Sequence, residues 1–402
     1  MRGKERNKIH LVFAHDNIFS ATAEGVFAEG LWGAPFWQRY LNVFSTVTVA
    51  ARLLELPQTK WSNGFTLSST PGVSFVAIPP LNNPRALLTH HWTARKKLED
   101  VLREKDALIA RIPSEIGSLA IQVARRLGKP WAVEVVGCIW GVLWHYGTWQ
   151  GKVYAPYVTW RTRTLIRQAA YALYVTREFL QRRYPCRGKT ISCSNVEIPT
   201  VDGQILTQRL ARIAPKKAAL RIGQIGHLSV KYKGIDTALQ ALSLVRDRLP
   251  PFEFSLLGGG DPRPWQQKAE KLGLSRQTTF CGQLPPGESV LRWLQDLDLY
   301  IQPSFQEGLP RALIEAMSQG CPALGSTAGG IPELLDRTYL HKPGDSARLA
   351  ALLIQATTDN HWQLVQAQRN FETAKRYRKT GLDHIRNKFW QEFAESIRRQ
   401  HI

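Results

Sequence analysis

The sequence predicts an α/β protein of two domains, each built on a parallel β-sheet wrapped by helices. Its 402 residues, 44% of them hydrophobic, exceed one ordinary domain and suffice for two cores. Between residues 220 and 335, an apolar run, a loop and a helical segment alternate five times, as in a doubly wound sheet. Residues 200–218 are polar, so we predict a linker there, between domains at 1–199 and 219–375.

The five units of the second half begin at short apolar runs, each followed by a loop. These runs are LRIGQI (220–225), FEFSLL (252–257), TTFCG (278–282), LYIQP (299–303) and PALGS (322–326). Ligands of such sheets bind beyond the carboxyl ends of the strands. The glycine-bearing loops all follow strands and are therefore expected at that edge.

The first half alternates less regularly, and residues 15–72 give no clear pattern. Its strand candidates are KIHLVFA (8–14), VSFVAIP (73–79), DALIAR (106–111), WAVEVVG (131–137), AYALYVT (170–176) and KTISCSNV (189–196). Ser114 is the expected cap of a helix that ends at Gly128. Apolar residues three or four apart in 376–402 predict a terminal helix that packs on another surface: Leu382, Ile385, Phe389, Phe393 and Ile397.

Composition limits the partners and the compartment. The net charge is +21, with a basic excess at 151–200 that favours anions such as phosphates, acidic lipid or nucleic acid. Five cysteines without a CxxC pair fit a reducing compartment. The apolar run at 11–14 is too short for a signal peptide, and 135–144 is too short to span a bilayer. We therefore expect a cytoplasmic protein, with peripheral contact to the inner membrane face left open.

The stretch SFQEGLPRALIEAMSQG (304–320) contains two acids at one predicted ligand edge. Pro310 suits the first turn of a helix, Glu307 lies in the loop before it, and Glu315 lies inside it. Carboxylates can accept hydrogen bonds from vicinal hydroxyls, so paired acids suit a sugar. The alternative is a surface ion pair between Arg311 and Glu315, which are four residues apart.

Other loops at the same edge carry glycine or lysine. Lys231 and Lys233 follow the first strand of this half, in GHLSVKYKG (226–234). Glycine pairs stand in GGGDP (258–262) and in STAGGIPELL (326–335). A lysine can meet a diphosphate, and glycines let the backbone approach a ligand closely. The combination describes a site for a diphosphate, its pentose and a sugar.

With these motifs in this order, residues 221–335 resemble the donor-binding half of a family 4 retaining glycosyltransferase of GT-B architecture. The resemblance rests on Lys233-Gly234 with Asp236, LLGGGDP, FCGQL, DLYIQPSFQEGLPRALIEAMSQGCPAL and GGIPELL. Residues 110–199 resemble bacterial polysaccharide-biosynthesis members less specifically. The resemblance implies two Rossmann-like domains facing each other across a cleft, with helix 376–402 returning to the N-terminal domain.

The resemblance also implies roles for individual residues. Glu315 would bind the nucleotide ribose, Glu307 with Gly308 and Leu309 would hold the donor sugar, and Lys233 would neutralise the diphosphate. The remaining donor-site candidates are Pro310, Lys231, His227, Gly258, Gly259, Gly282, Gln283, Gly329 and Gly330. The reaction would move a sugar from a UDP- or GDP-linked donor to an acceptor hydroxyl with retention, and no cofactor is implied.

The chain departs from the family pattern at several positions. His227 stands where many relatives have an arginine, and Gly30 and Gly33 are the candidates for the usual N-terminal glycine pair. The loop after WAVEVVG lacks the common histidine; the acceptor-side candidates are Gly137, Cys138, Trp140 and Asp16. For Asp16, helix capping is the alternative to a chemical role.

No metal is expected, because the Asp-x-Asp pair at 296–298 precedes a strand and so lies at the edge opposite the ligand. Nine of 13 tryptophans lie in the first 160 residues, before a basic cluster at 161–189. Such residues suit an acceptor on a polyprenyl diphosphate at an anionic membrane face. A soluble small-molecule acceptor and a basic nucleic-acid-binding or anionic-surface-binding protein are the alternatives. No recognised nucleic-acid-reading motif accompanies the charge.

Overall fold

The computed structural model describes residues 8–30, 32–55, 65–145, 149–199, 202–213 and 218–400. The strands of its N-terminal domain are β1 His10–Thr22, β2 Gly25–Glu29, β3 Thr46–Leu54, β4 Phe65–Leu67, β5 Val73–Ala77, β6 Ala107–Ile112, β7 Trp131–Val135, β8 Tyr171–Tyr174 and β9 Lys189–Ser192. Its helices are α1 Ala34–Leu41, α2 Pro84–Arg103, α3 Glu115–Arg126, α4 Ile139–His145, α5 Trp149–Arg167 and α6 Phe179–Arg183.

The N-terminal sheet is parallel in the order β5-β3-β1-β6-β7-β8-β9. An antiparallel extension, β2 with β4, leaves it from the end of β1. Ser114 caps α3 as predicted, accepting a hydrogen bond from the Gly117 amide at 2.8 Å. Because the strands are parallel, the loops after β1, β6, β7 and β8 emerge at one edge.

The C-terminal domain repeats this plan with a second sheet. Its strands are β10 Leu220–Ile225, β11 Phe252–Leu257, β12 Thr278–Gly282, β13 Leu299–Gln302, β14 Ala323–Ser326 and β15 Leu340–His341. Its helices are α8 Ile235–Val245, α9 Arg263–Lys271, α10 Glu288–Asp296, α11 Arg311–Ser318, α12 Ser346–Thr358 and α13 Asn360–Ala374. All six strands are parallel, in the order β12-β11-β10-β13-β14-β15. The order reverses between β10 and β13, where doubly wound sheets bind ligands.

The segment 200–218, predicted as a linker, contains a helix, α7 Gly203–Ile213. Its Arg209 is buried and donates to the backbone carbonyls of Gln319 at 3.0 Å and Gln295 at 2.9 Å. It also donates to the carbonyl of Leu297. Because these carbonyls lie at the ends of α10 and α11, a positive charge there is favourable. Helix α7 is therefore fastened to the C-terminal domain.

The last helix, α14 Lys379–Gln400, crosses back to the N-terminal domain, as predicted. Phe389 and Phe393 contact the ring of Tyr171 with centroids 5.5 and 5.2 Å away. Ile385, expected on the apolar face, is 42% exposed, and Trp390 is buried instead. Within the described residues, no helix combines the length and apolar character needed to cross a bilayer.

Candidate active site

A cavity of about 410 Å³ lies in the cleft at the carboxyl ends of β10 and β13. Gly30 and Val136 of the N-terminal domain form part of its wall. The other walls include seven of the predicted donor-site residues: His227, Lys233, Glu307, Gly308, Leu309, Pro310 and Glu315. The structure thus brings Lys233 and two acids, far apart in sequence, to one space between the domains, and Arg311 is a second cation on its wall.

Lys233 and Glu307 form an ion pair in this cavity. Lys233 lies in a 3-10 turn after β10, and its Nζ is 2.8 Å from Glu307 Oε1. The same oxygen accepts hydrogen bonds from Ser304 Oγ at 2.8 Å and Gln302 Nε2 at 3.1 Å. Glu307 is 8% exposed, so three donors compensate for the burial of its charge. The lysine side chain is the more exposed partner, at 23% against 10% for the glutamate side chain.

Glu315 differs because its carboxylate accepts no hydrogen bond from the described residues. It is half-buried on α11, and burial raises the pKa of its carboxyl above the ordinary value, while Arg311 partly opposes this rise. Among the ion pairs of the described residues, none joins Arg311 to Glu315. The predicted alternative of a surface pair is therefore absent there, and the carboxylate is free to accept ligand hydroxyls.

Two glycines allow close approaches around Glu307. A Cβ on Gly308 would lie 2.2 Å from the Val136 carbonyl oxygen of the other domain. Gly329 has a φ of 58°, and a Cβ there would lie 2.1 Å from the Glu307 carbonyl oxygen. The amide of Gly330 donates to the Gly308 carbonyl at 2.7 Å. The loop at 329–330 thus supports the backbone that carries Glu307.

The loop after β11 lies beside the cavity and outside its described wall, whereas the loop after β12 contributes Pro286 and Gly287 to that wall. The Gly258 amide donates to the Gly282 carbonyl at 2.7 Å, and the Gly259 carbonyl accepts from Leu228 at 2.7 Å. Gln283 Nε2 donates to Glu29 Oε1 of the other domain at 2.9 Å. Lys231 is exposed and likewise stands outside the described wall.

The acceptor-side candidates occupy supporting positions. Cys138 is buried, with its Sγ 3.4 Å from Tyr184 Oη. Trp140 stacks on Trp144 at 5.0 Å, beneath Arg183 at 5.3 Å. Gly137 packs near Pro113, where a Cβ would have a neighbour at 3.5 Å. None of the three is among the described residues that line the cavity.

Asp16 occupies the helix-capping position that the sequence offered as the alternative to a chemical role. Asp16 lies within β1 rather than after it, and its carboxylate accepts from the amides of Glu115 at 2.6 Å and Ile116 at 3.1 Å. These amides begin helix α3, so the negative charge faces the positive end of the helix dipole. Both oxygens are occupied, and Asp16 positions a helix.

Sequence reasoning missed a second cavity, of about 280 Å³, on the N-terminal side of the cleft. It shares Gly30, Val136, Leu309 and Arg311 with the first cavity, so the two adjoin. Its other polar and aromatic walls are Glu29, Trp32, Phe36, Arg39, Arg111 and Asn195. The missed signal was Arg111 itself, a charge inside the apolar strand DALIAR.

His15 was also missed. It is stacked on Trp32 with ring centroids 5.2 Å apart, and its Nδ1 is 3.2 Å from the Arg111 carbonyl oxygen. Burial, followed by the charge of Arg111, lowers the pKa of His15 to about 3. It is therefore neutral at physiological pH and serves as part of the wall behind Trp32.

Comparison with known proteins finds similarity to a family of glycosyltransferases and to two bacterial proteins. Residues 219–359 match the family described as "Glycosyl transferases group 1". Protein CapJ of Staphylococcus aureus is 28% identical over 348 residues, which cover 86% of this chain and 85% of CapJ. The amylovoran biosynthesis glycosyltransferase AmsK of Erwinia amylovora is 32% identical over 145 residues, 34% of this chain and 35% of AmsK.

Solved structures match over nearly the whole chain. Sucrose-phosphate synthase from Thermosynechococcus elongatus superposes with a TM-score of 0.68 at 15% identity, covering 97% of this chain and 100% of that one. Anabaena HepE in complex with UDP-glucose gives a TM-score of 0.62 at 16% identity, covering 97% and 99%. At such identities the likeness concerns the fold.

Proposed function

We propose that this glycosyltransferase of GT-B fold, whose residues 219–359 match the family described as "Glycosyl transferases group 1", transfers a sugar from a nucleoside-diphosphate sugar to a saccharide hydroxyl with retention. The observation that carries the proposal is the cavity where Lys233, Glu307 and Glu315 meet. HepE, a neighbour in fold, has been solved with UDP-glucose, which supports a nucleotide-sugar donor.

In this proposal each residue acts by charge and hydrogen bonding. The bond between the anomeric carbon and the diphosphate oxygen breaks while the acceptor oxygen bonds to that carbon from the same face. The acceptor proton passes to the departing diphosphate oxygen. Lys233 stabilises the negative charge that develops on the diphosphate, which is the largest electrostatic demand of the step. Glu307 orients Lys233 from 2.8 Å and accepts from donor hydroxyls, while Glu315 accepts from the ribose.

We infer that this reaction needs no metal ion or cofactor, since a lysine occupies the place where a cation is required. The acidic pair of Asp296 and Asp298 lies at the amino end of β13, and both residues pair with Arg212 at 3.5 Å. The pair is therefore at the far edge of the sheet from the cavity. Turnover that requires magnesium or manganese would contradict this inference.

The names of two relatives, glycosyltransferases of amylovoran and colanic acid biosynthesis, favour polysaccharide biosynthesis. We propose in addition that the acceptor is lipid-linked. Helix α5 supports a membrane contact, because one face exposes apolar residues at helical spacing. Their exposed fractions are 71% for Trp149, 71% for Val153, 52% for Tyr157 and 64% for Trp160. The helix also contains four Lys and Arg residues and no acid, which suits an anionic leaflet.

The function is tested with purified protein, a panel of UDP- and GDP-sugars, and release of the nucleoside diphosphate, with EDTA in one arm. We expect turnover on one donor that EDTA leaves unchanged and that Glu307→Ala abolishes. No release from any donor, or full activity of Glu307→Ala, would contradict the proposal. Retention is read from the anomeric proton coupling of the product.

The membrane contact is tested by flotation with vesicles of phosphatidylglycerol or of phosphatidylcholine alone. We expect salt-sensitive binding to the anionic vesicles, lost in the double variant Trp149→Ser, Trp160→Ser. Absence of binding by the parent protein would favour the alternative, a soluble small-molecule acceptor. Tight RNA binding with no sugar transfer would favour the other class, a basic nucleic-acid-binding protein.

A further inference from the structure

We propose that the second cavity binds an anionic group of the acceptor, a carboxylate or a phosphate, through Arg39, Arg111 and Arg311. This inference rests on the proposed transferase function and adds the charge class of its acceptor. The cavity adjoins the donor cavity through Gly30, Val136, Leu309 and Arg311, so a molecule in it lies next to the transferred sugar.

The charged walls of the second cavity are mainly cationic. Three arginines and only one acid, Glu29, are among its described lining residues. Arg111 Nη1 donates to Glu134 Oε2 at 2.9 Å, and Arg39 pairs with Glu197. Glu134 and Glu197 lie outside the described wall. A guanidinium has five N–H donors, so each arginine keeps donors for a ligand after one pairing.

One N–H donor of Arg39, at Nε, has no acceptor among the described residues. Arg39 is 5% exposed and lines the cavity. A buried donor without an acceptor is costly, so native proteins rarely leave one unless another group satisfies it. An anionic oxygen in the cavity would satisfy this donor more strongly than a neutral hydroxyl.

Arg111 is held in a defined orientation for such a ligand. Its Cζ lies 5.0 Å from the ring centroid of Trp32 and 5.6 Å from that of Phe36. Glu134, its ionic partner, also accepts from Tyr40 Oη at 2.7 Å. The guanidinium therefore cannot swing to meet a ligand and acts as a preorganised donor.

Arg311 completes the cationic wall. It is exposed, lines both cavities, and none of the ion pairs found in the described ranges includes it. The single acid, Glu29, is engaged at the rim by the Gln283 amide at 2.9 Å. Arg311 acts on Glu315 electrostatically but forms no ion pair within the described ranges, so its positive charge favours an anion over a neutral sugar in the second cavity.

The test measures binding to the 402-residue chain saturated with UDP, by calorimetric titration with glucuronate, glucose 6-phosphate, inorganic phosphate and glucose. We expect at least one anion to bind tenfold or more tightly than glucose. Preference for glucuronate identifies a carboxylate, and preference for the phosphates identifies a phosphoryl group. Equal affinity for glucose and all three anions would overturn the proposal.

The variants locate the binding. Arg39→Gln and Arg111→Gln should each weaken the preferred anion about tenfold or more, with UDP affinity unchanged, because these residues line only the second cavity. If a variant at a buried arginine does not fold, the anion affinity of Arg311→Gln is the test, because Arg311 is exposed and its substitution is expected to leave the fold intact. Arg248→Gln, at an exposed site after the end of α8 and outside both described cavity walls, is the matched control. If none of the three cavity variants changes the affinity for the anion, the anion does not bind in the second cavity and the proposal is wrong. If the parent protein does not bind UDP, it is the proposed donor site that is wrong.

Discussion

Replacing Lys233 by methionine removes the ammonium and keeps the length of the side chain. In the resting structure this ammonium is 2.8 Å from Glu307 Oε1, and it lines the donor cavity. A unit charge about 4 Å from a phosphate oxygen is worth about 4 kcal/mol at an effective dielectric constant of about 20. If this attraction acts mainly on the departing diphosphate, kcat should fall about a thousandfold.

The substitution also leaves Glu307 buried without its cation. Removing one partner of such a pair costs up to about 3–5 kcal/mol of stability, and the 23% exposure of the lysine side chain reduces this amount. The double variant Lys233→Met, Glu307→Gln should therefore melt closer to the parent than Lys233→Met alone does. A melting curve separates this loss of stability from the loss of rate.

The assay is release of nucleoside diphosphate at saturating donor and acceptor, with Lys271→Met as control because Lys271 is exposed on α9, outside the cavity wall. We expect the control to keep parental turnover. A fall of less than tenfold for a folded Lys233→Met protein would refute the assignment of this lysine to the leaving group.

Glu315→Gln should raise the KM for the donor about tenfold or more, with a smaller change in kcat. The KM for a 2′,3′-dideoxy donor, which lacks the ribose hydroxyls, should be the same in the parent and the variant. An equal rise in KM for both donors would contradict ribose binding by Glu315. Burial raises the pKa of the Glu315 carboxyl above its ordinary value, so the folded protein keeps this proton to a higher pH than the unfolded chain does. The free energy of unfolding therefore falls as the pH rises from the unfolded pKa through the folded pKa of this group. Glu315→Gln should flatten this part of a profile of melting temperature against pH. Arg209→Met should lower the free energy of unfolding, measured with a chemical denaturant, by about 3–5 kcal/mol, because it leaves buried helix-end carbonyls without donors. The control Arg248→Met, at an exposed site, should lower it by less than about 0.5 kcal/mol. Similar losses in both variants would argue against a role for the buried contacts.

Most of the donor side could be predicted because its residues follow strands. Lys233 and Glu307 are 74 positions apart, yet each stands just after a strand whose carboxyl end faces the ligand. The strand neighbours β10 and β13 then bring them together without any further information. Gln302 and Ser304 were overlooked because a buried strand end gives no sign of which side chains turn toward Glu307.

The N-terminal side was less predictable for physical reasons. Strand β1 continues through the polar residues His15, Asp16 and Asn17, with a shift of register between Ala14 and Ile18, so its apolar pattern stops early. Strand β3 and the antiparallel pair of β2 with β4 lie in the region that gave no pattern. The second cavity joins α1, β6 and α11, and its local signal, Arg111 inside an apolar strand, does not indicate which elements meet there.

The polypeptide passes from one domain to the other at two places, and these two crossing segments are in contact. Ile198 pairs with Arg378 in an isolated parallel bridge, and the Lys379 amide donates to the Ile198 carbonyl at 3.1 Å. Two crossings that lie side by side define one axis, so we expect opening of the cleft to be a rotation about that line rather than sliding. Glu29 with Gln283, and Gly308 against Val136, lie across the cleft from each other and would part first. Substrate entry would then be governed by a rocking motion whose pivot contains none of the groups that hold the sugar.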